Sequence, residues 1–110
     1  MTASELAERM ALEVFALPSP ESGVEGAYCG DLLSWVMGRA EPGCAWFTIM
    51  SNQNVAAVAV MADISCVILT EEVRPDPQLI EKAEQEGINL LGTSRSTFDA
   101  AVSFAALTKE

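Results

Sequence analysis

Apolar residues along the chain form short runs typical of strands and longer stripes typical of helices. Four runs of aliphatic, β-branched and aromatic residues predict strands, at 12–17, 46–50, 65–69 and 88–91. Five further stretches predict helices, at 3–10, 31–38, 55–62, 77–86 and 96–107. This alternation predicts one α/β domain over residues 1–110, with a mostly parallel sheet of about four to five strands and helices packed on it.

Capping and turn residues set the expected boundaries. Thr2-Ala3-Ser4-Glu5 is a capping box that opens the first helix. Residues 18–27 hold two prolines and two glycines and predict a loop. Asp31 is expected to cap the second helix. An apolar stripe should follow it, and Gly38 should end it; the stripe consists of Leu32, Leu33, Val36 and Met37.

The remaining boundaries follow the same logic. Asp76-Pro77 is a strong helix start, and Gly87 fits the position after the end of that helix. Ser96 and Asp99 resemble a capping box for the last helix. Residues 55–62 alternate Val and Ala in a way that also suits a strand, but the alanines favour a helix, apolar on all sides and covered by sheet and partner.

Polar side chains follow three of the predicted strands, where each chain segment enters a helix. Parallel strands bring their carboxyl ends to one edge, where ligands of such sheets bind, and helix N-termini there favour an anion. The sequence therefore predicts a phosphate or carboxylate site. Helix caps and turns use the same residue types, so a purely structural role stays open. The candidate ligand-binding residues are Ser51, Asn52, Gln53, Asn54, Thr70, Arg74, Thr93, Ser94, Arg95 and Ser96.

Composition narrows the function classes. Half of the residues are hydrophobic, which supports one real core, and the net charge is −10. Such a charge argues against nucleic acid and anionic membrane surfaces as partners. The chain has no histidine, which removes Ser-His and Cys-His catalytic arrangements. The uncharged run 44–62 contains a polar tetrad at 51–54, so it predicts two short elements rather than a membrane span.

The three cysteines are widely spaced and odd in number, which favours reduced thiols and a cytoplasmic location. An iron–sulfur cluster normally takes four thiolates, so one chain falls short unless a dimer shares the cluster. Cys29 precedes a predicted helix N-terminus, where the pKa of a thiol can fall. Neither a metal site nor a set of catalytic residues is predicted.

Four segments in order resemble motifs of short, stand-alone DRTGG-domain proteins. Residues 28–37 (YCGDLLSWVM) are similar to their Y-x-S-D-L-L-S-x-V-M opening. Segments 67–75 (VILTEEVRP) and 87–98 (GINLLGTSRSTF) resemble their I-I-L-T-G-G-x-x-P segment and their ending. The tetrad Ser51–Asn54 stands where other members carry the Asp-Arg-x-Gly-Gly signature, and Glu71-Glu72 replaces the family's Gly-Gly.

The resemblance implies an α/β regulatory module, similar to the N-terminal domain of HPr kinase and to domains beside CBS domains in pyrophosphatases. It implies no catalytic machinery. We therefore expect a non-catalytic regulatory or adaptor module that forms a homodimer. It would bind a small anionic ligand such as an adenine nucleotide, or dock on a redox or signalling protein. Tyr28 and Trp35 are the candidate interface residues. The alternative is an iron–sulfur or hydrogenase-associated accessory protein, because short members often lie near hydrogenase genes.

Overall fold

A five-stranded sheet forms the centre of the protein in its computed structural model, which describes residues 1–109. The strands are β1 (Glu13–Ala16), β2 (Ala27–Cys29), β3 (Ala45–Thr48), β4 (Cys66–Leu69) and β5 (Asn89–Gly92). They lie side by side in the order β1-β5-β4-β3-β2. β1 runs antiparallel to β5, and every other pair is parallel. The predicted α/β class and mostly parallel sheet are confirmed.

Helices cover both faces of the sheet. They are α1 (Ala3–Arg9), α2 (Leu33–Arg39), α3 (Asn54–Met61), α4 (Pro77–Glu86) and α5 (Thr97–Thr108). Buried residues of α2, α3 and α4 share one core cluster, and those of α1 and α5 share a second. Neighbouring residues of one strand therefore serve different cores. Trp46 belongs to the first cluster and Phe47 to the second, and both are fully buried.

Several predicted boundaries are confirmed by the local geometry. Thr2 and Glu5 form the reciprocal capping box, and these hydrogen bonds lower the pKa of the Glu5 carboxyl. Gly87 ends α4 in the left-handed conformation, with φ of 76°. The Ser96 hydroxyl accepts the Asp99 N–H and so caps α5. Residues 54–61 form a helix, as predicted. This helix, α3, is not covered on all sides, because Met61 is 70% exposed.

Other boundaries differ from the predictions. The second strand, β2, was not predicted, because three residues at a sheet edge carry almost no periodic signal. Asp31 does not cap α2, which begins at Leu33 after an N-cap residue with no side-chain bond. Of the predicted apolar stripe only Val36 is buried, and Gly38 lies inside the helix. Within residues 1–109, no helix is long and apolar enough to cross a membrane.

Asp31 instead ties two strands together. Its Oδ1 atom accepts the hydroxyl of Thr48 at 2.8 Å and the backbone N–H of Ile49 at 3.0 Å. Both donors lie at the carboxyl end of β3, next to the end of β2. A carboxylate can satisfy two neighbouring donors as readily as it caps a helix, so the sequence did not distinguish the two roles.

Candidate functional site

A cavity of about 360 Å³ opens at the carboxyl ends of β4 and β5, beside the start of the antiparallel strand β1. We call it the edge cavity. Three segments supply its walls: β1 with the residues before it, the β4–α4 loop (residues 70–76) and the β5–α5 loop (residues 93–96). The lining residues are Ala11, Glu13, Phe15, Glu72, Val73, Arg74, Gly92, Thr93, Ser94 and Arg95.

Hydrogen bonds between the two loops hold the cavity in shape. The Glu71 N–H donates to the Arg95 carbonyl at 2.8 Å, and the Glu72 N–H donates to the Thr93 carbonyl at 3.0 Å. Below them, the hydroxyls of Thr70 and Thr97 are 2.6 Å apart. Because backbone groups make the first two bonds, the loops are positioned independently of any ligand.

Phe15 forms an aromatic wall of the edge cavity because Gly92 leaves room for it. A Cβ atom at residue 92 would lie 2.5 Å from Cε2 of Phe15, so any larger residue displaces the ring. The Arg74 guanidinium carbon lies 4.9 Å from the centre of the same ring. The arrangement places a flat apolar surface beside a cation, which suits a planar heterocycle.

Charges of both signs surround the edge cavity. Arg74 donates to the Glu13 carboxylate at 2.7 Å, and this contact raises the pKa of the Arg74 guanidinium. Both side chains of the pair are more than half exposed, so the pair adds little stability. Arg95 donates from Nη1 to the Met10 carbonyl at 3.0 Å, which anchors it beside the cavity. Glu72 adds a further carboxylate to the wall.

The structure brings four of the ten predicted ligand residues to this cavity. They are Arg74, Thr93, Ser94 and Arg95. Two more support the loops: Thr70 is fully buried against Thr97, and Ser96 caps α5. Whether any of them binds a ligand stays a prediction.

The tetrad Ser51–Asn54 lies outside the edge cavity. The Ser51 carbonyl accepts the N–H of Asp76 at 2.9 Å, and Oδ1 of Asn52 accepts the N–H of Asn54 at 2.9 Å. Gln53 and Asn54 border a second, mostly apolar cavity of about 340 Å³, beside α3 and α4. Through these contacts, Ser51 and Asn52 serve loop and helix geometry.

The sequence placed Glu72 near the predicted anion site, but it did not predict Glu13, Phe15 or Gly92 there. Their position depends on β1 pairing with β5 at the sheet edge, which a periodic pattern does not encode. One signal was present: Gly92 closes an apolar strand, and a glycine within a strand marks close approach of another group.

Glu71 and Glu72 have backbone angles that favour glycine. Their φ values are 59° and 60°, in the left-handed region. Such angles cost a non-glycine residue roughly 1–2 kcal/mol. The Glu71 carboxylate also accepts the N–H of Thr97, the first residue of α5, at 3.3 Å. The chain therefore has two acidic side chains in a turn whose backbone angles suit glycine.

The thiols do not gather into a site. Cys44 and Cys66 are buried in different core clusters, and burial raises the pKa of the Cys66 thiol to about 12. Cys29 is exposed on the edge strand β2. Among residues 1–109, no group of three or more His, Cys, Asp or Glu side chains could hold a metal ion.

Cys29 is expected to react slowly with alkylating agents. Partial burial of the thiol, and secondarily the Asp31 carboxylate, raise its pKa above the usual 9.0, so little thiolate exists at neutral pH. A helix N-terminus can lower the pKa of a neighbouring thiol, but α2 begins four residues beyond Cys29. At pH 7.5 we expect iodoacetamide to modify Cys29 more slowly than it modifies the thiol of free glutathione. The rate of Cys29 modification should still rise above pH 9.0. A faster rate, measured by peptide mass spectrometry, would contradict the raised pKa.

The two candidate interface residues differ in exposure. Tyr28 is half-buried and packs against the α2–α3–α4 core. Trp35 lies on α2, is 52% exposed, and has the Arg39 guanidinium 3.7 Å from the centre of its ring. Their role in an interface stays a prediction.

The fold and the edge cavity define an α/β domain with a ligand-sized depression at the carboxyl ends of its parallel strands. The DRTGG domain family matches residues 29–106, and the chain belongs to this family. No curated protein matches the sequence.

A solved structure with a similar fold is the regulatory region of Clostridium perfringens pyrophosphatase. It contains CBS and DRTGG domains and is complexed with its activator, diadenosine tetraphosphate. The TM-score is 0.72 at 14% sequence identity. The match covers 92% of this chain but only 44% of that one.

Proposed function

We propose that the protein is a non-catalytic regulatory module that binds an adenine nucleotide in the edge cavity. The observation that carries the proposal is the convergence of Arg74, Arg95, Thr93 and Ser94 beside the ring of Phe15. Three separate chain segments supply these groups, and backbone hydrogen bonds hold two of the segments together. The cavity is therefore built before a ligand arrives.

The chemistry of the walls suits a nucleotide. Guanidinium groups bind phosphate through paired N–H donors, and hydroxyls add single hydrogen bonds. The ring of Phe15 offers a face on which a purine can stack. The volume of about 360 Å³ lies within the range of small-molecule sites. The activator bound to the pyrophosphatase regulatory region, which contains a DRTGG domain like this chain, supports the same ligand class.

A non-catalytic role agrees with the groups at the edge cavity. Without histidine, a hydroxyl nucleophile would need a carboxylate or lysine as its base. The Thr93 hydroxyl instead accepts the backbone N–H of Arg95 at 3.2 Å, which shapes the loop. The Glu13 carboxylate accepts from Arg74. These contacts describe a binding surface.

Regulation also requires a surface that passes the signal on, and α5 offers one. Phe98 is 74% exposed and Val102 is 51% exposed, and they lie one turn apart. We propose that a second copy or a partner protein contacts this face.

The iron–sulfur alternative has no comparable support: with Cys44 and Cys66 buried, two copies offer only two accessible thiolates for a cluster that needs four.

Isothermal titration with adenosine, AMP, ADP and ATP tests the nucleotide site. We expect AMP to bind, and Arg74→Gln to weaken its binding at least about tenfold, because a hydrogen bond to a charged group contributes roughly 1.5–3 kcal/mol. Arg39→Gln is the matched control: Arg39 lies over Trp35 on α2, and its replacement should leave AMP binding unchanged.

Measuring the stability of the protein with and without each ligand gives independent evidence of binding to the folded state. At about 100 times its dissociation constant, a ligand should add roughly 2.7 kcal/mol of stability. If none of the four compounds binds with a dissociation constant below about 1 mM, the nucleotide proposal fails. Docking on a partner protein would then be the better account of the module.

A further inference from the structure

We propose that Glu71 and Glu72 make the edge cavity select ligands with a single phosphate group over polyphosphates. This inference rests on the proposed function and specifies its ligand class. Both residues adopt the left-handed conformation, with φ of 59° and 60°. Glycine adopts these angles without strain, so the backbone gains nothing from glutamate here.

The Glu71 carboxylate interacts with the N-terminus of α5, the positive end of the helix dipole. The carboxylate accepts the N–H of Thr97 at 3.3 Å, at the start of the twelve-residue helix α5. A helix N-terminus at the carboxyl end of a strand attracts the phosphates of a ligand. Because the Glu71 carboxylate already accepts this N–H, the N–H is not available to a second phosphate.

Glu72, the next residue of the same turn, contributes its charge at the cavity wall. It lines the edge cavity, and its charge is one of those that raise the pKa of the Arg74 guanidinium. The cavity wall holds two carboxylates, Glu13 and Glu72, and two guanidinium groups, Arg74 and Arg95, and Glu71 adds a third carboxylate in the adjoining turn. One phosphate can pair with the arginines, whereas each additional phosphate adds repulsion that no remaining cation of the cavity wall offsets.

The test compares AMP with ATP by isothermal titration, without Mg²⁺ and at fixed ionic strength. The wild-type protein should bind AMP at least about tenfold more tightly than ATP, a difference that charges within about 10 Å produce. In Glu71→Gln/Glu72→Gln, which keeps side-chain size, the ATP dissociation constant should fall at least about tenfold and that of AMP by less than about threefold.

Two further variants keep the result interpretable. Glu72→Gln alone leaves the Glu71–Thr97 contact in place, so it should fold normally and still improve ATP binding more than AMP binding. Glu21→Gln/Glu84→Gln removes the same net charge from exposed positions that do not line the cavity, and should leave the AMP-to-ATP ratio unchanged.

The outcomes separate this inference from the function it rests on. If AMP binds but ATP binds equally well or better, the selectivity inference is overturned and the nucleotide site stands. The selectivity inference is also overturned if the control variant shifts the ratio as much as the Glu71/Glu72 variant. If neither nucleotide binds to any variant, the proposed function fails and takes the inference with it.

Discussion

Trp46→Ala is expected to lower the free energy of unfolding by about 3–5 kcal/mol, the usual range for a fully buried tryptophan. The indole lies between the sheet and α2–α4, with none of its surface exposed. Its Nε1 donates to the Gly30 carbonyl at 2.8 Å, which fixes the chain after β2. The variant therefore creates a cavity and removes the partner of a backbone carbonyl. Urea denaturation followed by circular dichroism measures the loss.

Trp35 provides a matched control within the chain. It is the other tryptophan, lies on α2 and is 52% exposed. Trp35→Ala should change the free energy of unfolding by no more than about 1 kcal/mol. Fluorescence also distinguishes the two residues, since acrylamide should quench the emission of Trp35 and not that of Trp46. Equal destabilisation by the two substitutions would mean that the position of Trp46 in the core is wrong.

Asn89→Ala is expected to lower the free energy of unfolding by about 3 kcal/mol. The Asn89 side chain is fully buried at the start of β5. Its Oδ1 accepts the Ser19 N–H at 2.9 Å, and its Nδ2 donates to the carbonyls of Ser19 and Ser65 at 2.7 and 3.0 Å. Truncation leaves three backbone groups without their partner, and each costs roughly 1–3 kcal/mol when water cannot replace it.

Asn54→Ala tests whether the effect belongs to the buried amide. Asn54 is exposed at the start of α3, where alanine is well tolerated. We expect its melting temperature to stay within a few degrees of the wild type, while Asn89→Ala lowers it by roughly 12 °C or more. A small shift for Asn89→Ala would show that the loop at Ser19 is not held by the sheet.

Local chemistry accounts for the features that were predicted correctly. The capping box at Thr2, the Asp76-Pro77 start and the Gly87 stop depend on residues within one helical turn. The apolar runs around Trp46 and Val67 have strand character because both faces of the sheet are covered. Asp31 shows the limit of such reasoning, because its partners Thr48 and Ile49 lie far away in sequence.

The residues of the candidate site likewise fall into those that the sequence predicted and those that it did not. The sequence pointed to Arg74, Thr93 and Arg95, because polar residues after parallel strands share one edge. It did not place Phe15 or Glu13 beside them, since β1 could have paired at either edge and in either direction. Nor did it separate the Ser51–Asn54 loop from the cavity.

By itself, the sequence determined the fold class, the helix caps at Thr2, Gly87 and Ser96, and the family, because these depend on periodicity, on neighbouring residues and on short motifs. Only the tertiary structure decided the strand order, the antiparallel pairing of β1 and the closure of the edge cavity. It also showed Glu71 and Glu72 in a glycine-like conformation. These features depend on contacts between segments distant in the chain, whose energies no local pattern records.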